Sequence, residues 1–161
     1  LNKAGPRVFE DFGKAWIVPE KSAFTRESDL TGLWSGEYWY SHTVRPTPFS
    51  AHIIDSGGNI SGTTLEPATF GSPHLTELSA DISGSRGALS LRFTKIYHPA
   101  PGVHRNPIYY SGTVDEKLTM IDGDWRFSDG FSGRFVLVRA SRGAKAEAVE
   151  RKVAEPVVVK R

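Results

Sequence analysis

An all-β fold, a single eight-stranded antiparallel up-and-down β-barrel with a short N-terminal helical arm and a charged C-terminal tail, is predicted by three features of the sequence. Between Gly32 and Arg139 the hydrophobic period is two, turn-forming residues cut that stretch into eight segments, and glycine recurs on their apolar faces. At 161 residues the chain fits one domain able to bury a core without staples. It divides into an arm (1–31), a barrel (32–139) and a tail (140–161).

In the arm, Phe9, Phe12 and Trp16 recur at i, i+3 and i+7, a helical stripe that Pro19 limits. The arm is expected to pack on the main domain, plugging one end of it being a special case. The strands are expected at about 33–41, 48–56, 59–66, 75–84, 88–97, 107–114, 118–127 and 131–139. Ser56-Gly57-Gly58-Asn59, Arg86-Gly87, Asp115-Glu116-Lys117 and Ser128-Asp129-Gly130 read as tight turns, and short turns make sequential strands antiparallel neighbours. The longer loops, Pro67 to His74 and His98 to Asn106, carry Pro and Gly and form either one mouth or opposite ends. The tail from Gly143 to Glu155 is rich in Ala, Glu, Lys and Arg and reads as helical or disordered.

Parity assigns the faces. Trp34, Gly36, Tyr38 and Tyr40 share one face of the first strand; Ile60, Gly62, Thr64 and Glu66 of the third; Leu89, Leu91, Phe93, Lys95 and Tyr97 of the fifth. In the last two strands Ile121, Gly123, Trp125 and Phe127, then Phe131, Gly133, Phe135 and Leu137, point inward. Glycines on the concave side suit a strongly coiled sheet, and closure into a barrel removes the edges. A two-sheet sandwich is the alternative architecture.

The 20 basic and 18 acidic residues leave a net charge of +2, too small for a nucleic-acid footprint. No apolar run is long enough for a membrane span. The absence of Cys weakly favours the cytoplasm and leaves an oxidising compartment open. Because the first residue is Leu1 rather than Met, a trimmed start, with or without a leader, stays open.

Gly32-Leu33-Trp34, with Arg139 at the end of the last strand, resembles the calycin superfamily, the lipocalin-like and avidin-like small barrels, in which a terminal Arg covers the Trp of Gly-x-Trp. That resemblance implies a barrel binding a small, mostly apolar molecule, and a bacterial lipocalin-like protein is the description it favours.

The residues read on their own lead to the same place. Inward charges at Glu66 and Lys95 are costly unless paired, solvated or used, and both sit just before the longer loops. Snorkelling to water at the strand ends is the structural alternative. The expected ligand-binding set is Trp34, Tyr38, Tyr40, Glu66, Lys95, Tyr97, Tyr110, Trp125 and Arg139, in which the tyrosines serve equally well as core filler. Trp39 and Tyr109 have outward parity and offer a surface patch or a contact in a homo-oligomer. His42, His52, His74, His98 and His104 form no metal-ligand spacing, and neither Gly-x-Ser-x-Gly nor a phosphate loop occurs. No cofactor, metal or catalytic residue is expected. Three functions follow in order: a lumen that binds a hydrophobic or amphipathic molecule, a packed adaptor barrel for a protein partner, and a lumen acid–base enzyme of isomerase or decarboxylase type.

Overall fold

The computed structural model describes residues 28–40 and 45–140; the helical arm, His42 and the tail beyond Ala140 lie outside the described residues. The eight strands are β1 (Gly32–Trp39), β2 (Thr47–Ser56), β3 (Asn59–Pro67), β4 (Glu77–Gly87), β5 (Ser90–Tyr97), β6 (Ile108–Val114), β7 (Met120–Arg126) and β8 (Ser132–Arg139). Each pairs antiparallel with the next, and β8 returns to β1, so the sheet closes into a barrel.

Alternation builds the core directly. Phe49, Ala51 and Ile53 of β2 point in, as do Leu78, Ala80 and Ile82 of β4 and Leu91 and Phe93 of β5, while their sequence neighbours face solvent. A barrel of eight strands is just wide enough for such side chains to fill. At the β1–β8 seam glycine is required by proximity: a Cβ on Gly36 would lie 1.8 Å from the Val136 carbonyl oxygen. On Gly133 it would meet Trp39 O at 2.1 Å and the Trp125 ring at 2.5 Å, so this glycine makes room for the indole.

Three expected inward positions differ. The fourth strand runs on to Gly87 and the turn is Ala88-Leu89, with Ala88 at φ 53°, so Leu89 sits in the turn, 36% exposed. The cause is Arg86, whose amide donates to Gly58 O at 2.7 Å and whose Nε donates to Asp55 at 2.6 Å, extending the β4 ladder past the expected turn. Tyr40 and Phe131, 37% and 53% exposed, lie beyond the last paired residues of β1 and β8, where parity no longer dictates direction.

The antiparallel order sends the β1–β2, β3–β4, β5–β6 and β7–β8 connections to one end, the mouth. Both longer loops therefore share it. The other end, the base, holds the three short turns and the chain's entry and exit.

Candidate functional site

Three strands meet at one buried carboxylate near the mouth. Glu66, the next-to-last residue of β3, is an inward residue sealed from solvent. Lys95 of β5 donates its Nζ to Glu66 Oε2, and Tyr97 of the same strand donates its hydroxyl to Oε1. Tyr38 of β1 donates to Oε1 at 3.1 Å. The ammonium lies 4.6 Å from the Tyr97 ring centre, 5.4 Å from that of Tyr38 and 5.6 Å from that of Phe49 on β2, so its remaining surface is covered by ring faces. The snorkelling alternative for Glu66 and Lys95 is thereby replaced by a closed ion pair.

The electrostatics follow from burial. Desolvation lowers the Lys95 pKa, opposed by the Glu66 charge and its hydrogen bond. Desolvation raises the phenols of Tyr38, Tyr97 and Tyr110, and the Glu66 charge pushes each further in the same direction. The phenols therefore stay protonated, and those of Tyr38 and Tyr97 serve as donors. Removing two ions from water is expensive, and the pairing offsets the cost only because the carboxylate accepts from three donors.

Above this cluster lies an aromatic lid. Trp125 of β7 meets Tyr40 edge-on at 5.0 Å and Tyr38 at 6.2 Å. Phe70, from the β3–β4 loop, stacks on His104, from the β5–β6 loop, at 5.4 Å and 16°, and packs edge-on against Tyr97 at 5.3 Å. The two loops are clasped: Ser72 N donates to Pro101 O at 2.9 Å, and a Cβ on Gly102 would meet the Gly71 backbone at 3.2 Å. Both glycines have left-handed φ, +95° and +72°, which lets the backbones touch.

Between the cluster and the lid is a cavity of about 20 Å³, lined by Tyr38, Tyr97, His104, Tyr110 and Trp125 among others, with room for about one water. His104 Nδ1 is a buried atom with no hydrogen-bond partner among the described residues, and the Thr64 hydroxyl on β3 is another. Burial, and then the Lys95 charge, lower the His104 pKa and favour the neutral ring.

Of the expected ligand residues, Tyr38, Glu66, Lys95, Tyr97, Tyr110 and Trp125 are brought together below the mouth, and Tyr40 joins them from its rim. Trp34 and Arg139 are not. They close the base: the indole donates to Leu30 O at 2.9 Å, and the guanidinium lies 4.6 Å over the indole. Arg139 also donates to the carbonyls of Asp29, Thr31 and Leu118. This is the Arg-over-Trp geometry that the calycin resemblance implies, used as a plug.

Sequence reasoning missed Phe70, His104 as a lid residue, and Asp55. The first two lie on loops, where no period marks the inward side. Asp55 shares the parity of Ala51 and Ile53, a signal that could have flagged it. Its buried carboxylate accepts from Leu30 N at 3.1 Å, Gly58 N at 2.9 Å and Arg86. His98 turns away from His104 to Ser79 and Asp81, both at 2.8 Å, and no group of three or more metal-ligating side chains occurs among the described residues.

No protein-family model and no curated protein matches the chain. Among solved structures it is similar to a redesigned β-barrel, at 15% identity and a TM-score of 0.56, over 70% of this chain and 92% of that one. The likeness is one of fold, an eight-stranded all-β barrel, reached through a different sequence.

Proposed function

We propose that the barrel binds a small hydrophobic or amphipathic molecule in its upper lumen, the rings supplying contact area and Glu66 and Lys95 orienting a polar end. The observation that carries this reading is a paired, solvent-free charge cluster set directly beneath a lid built from two loops. A fold needing only stability gains little from such a pair, since an apolar replacement of similar volume is often as good. The cavity of about 20 Å³ means that a ligand enters by displacing Phe70 and His104, the two rings carried on loops rather than strands.

The test is mass spectrometry of gently purified protein, native and then denatured. A stoichiometric small molecule lost on denaturation is expected; none after incubation with a broad metabolite extract would sink the reading. That outcome would favour a packed adaptor barrel, which the small cavity supports. The acid–base enzyme comes third: Lys95 and Glu66 do converge, but phenols raised so far by burial are poor proton donors to a substrate.

A further inference from the structure

The outer wall of the barrel carries a groove of about 550 Å³ over β4–β7, separate from the lumen. Pairing aligns two outward rows across it. One runs Ser85, Arg92, Ser111, Asp124, and the next runs Ser83, Thr94, Tyr109, Arg126. Ser83, Ser85, Thr94 and Ser111 bring short hydroxyl side chains to this surface, and Arg92, Tyr109 and Arg126 line it with long ones.

The charges do not cancel. Asp124 accepts from Arg134 of β8 at 3.1 Å, a guanidinium it shares with Asp122 at 3.4 Å, so one oxygen of Asp124 is engaged away from the groove. Arg92 has no partner among the described residues, and Arg126 rests only on the Tyr109 ring, 5.7 Å from its centre. Two guanidiniums with no ion-pair partner among the described residues thus flank a floor of hydroxyls beside a 38% exposed aromatic ring.

We propose that this groove binds an acidic sugar, a hydroxylated ring bearing a carboxylate. Arg92 provides the planar fork that a carboxylate matches with two parallel hydrogen bonds. Ser83, Thr94, Ser111 and the outer oxygen of Asp124 exchange hydrogen bonds with ring hydroxyls, and Tyr109 packs against the apolar edge of the ring. A bare carboxylate engages only the arginine, and a neutral sugar only the hydroxyls and the ring.

Two-dimensional amide NMR with glucuronate as the probe tests this, with glucose and acetate as controls. Saturable shifts confined to residues 83–85, 92–94, 109–111 and 124–126 are expected. Because a lost charge-assisted pair is worth about 1.5–3 kcal/mol, Arg92→Gln should weaken glucuronate binding by about tenfold or more with an otherwise unchanged spectrum. Absence of saturable shifts overturns the proposal. So does acetate matching glucuronate, which would make the groove a simple anion site, or binding that survives Arg92→Gln unchanged. A lumen ligand would instead shift Tyr38, Phe70, Tyr97 and His104, which line the lumen cavity and not the groove, so neither proposal stands or falls with the other.

Discussion

Lys95 on β5 donates to Glu66 on β3 across the upper lumen, and neither side chain reaches water. A pair in this position is far more costly to break than to replace. Lys95→Met leaves the carboxylate buried with only its two phenol donors, and the expected loss is about 3–5 kcal/mol. Adding Glu66→Gln removes the stranded charge while keeping an acceptor for Tyr38 and Tyr97, so the double variant should recover most of the loss. Urea unfolding of the wild type, both singles and the double measures the coupling. A double variant no more stable than Lys95→Met would show that charge compensation is not what the pair provides.

Alkaline stability should be governed by the phenols. The folded-state pKa values of Tyr38, Tyr97 and Tyr110 lie above the ordinary value of 10.0, so the folded chain holds protons that the unfolded chain releases. Their contribution is complete below 10.0 and is lost as pH rises above it. Lys95 acts in the opposite sense at lower pH: its folded value is depressed, so stability rises with pH until the unfolded value of 10.5 is approached. Urea midpoints should therefore fall steeply above about pH 10, and Tyr97→Phe should reduce that slope. An absorbance titration in which every phenol ionises near 10.0 without unfolding would contradict the burial argument.

The parts of the site on strands were legible because parity carries a side chain's direction as far as the ladder continues. Glu66, Lys95, Tyr38 and Tyr97 all lie inside paired segments, and alternation alone places them inward. Tyr40 and Phe131 share the same parity but fall past the final pairs, so the rule had nothing to act on. Whether Glu66 and Lys95 would meet depended on the two longer loops sharing an end, which follows from closure in sequence order rather than from any motif. Phe70 and His104 were beyond reach, since their positions depend on the contact between Gly71 and Gly102, a pairing of two loops 31 residues apart in sequence that no local signal encodes. Arg139 was placed at the correct end of its strand, but the base it seals could not be told from a mouth.

Asp55 should set the acid limb of the stability profile. Burial raises its carboxyl, but donors from Leu30, Arg86 and Gly58 outweigh that and hold the pKa below the ordinary 3.8. The stabilisation is complete above 3.8 and disappears as pH falls through the lower folded value. Asp55→Asn keeps the shape but loses a charge-assisted acceptor, and should cost about 1–3 kcal/mol at neutral pH. It should also flatten the stability curve below pH 3.8, where the wild type declines. An unchanged acid limb would assign that decline to other carboxylates.

The clasp between the longer loops should control how fast the lumen opens. Ala at Gly102 places a Cβ 3.2 Å from the Gly71 backbone at a φ of +72°, so the strain acts on the contact joining the loops. Gly130→Ala is the matched control: its φ of +93° is also left-handed, it lies in the β7–β8 turn at the same mouth, and its Cβ would meet nothing within 4 Å. Both variants should lose about 1–2 kcal/mol of stability from backbone conformation. Only Gly102→Ala should speed the entry of an apolar fluorescent probe followed by stopped flow, because only there is the lid itself pushed apart. Equal entry rates in the two variants would mean that ligands do not pass between Phe70 and His104, and would move the route of access elsewhere on the rim, to the exposed edge formed by Tyr40 and Phe131.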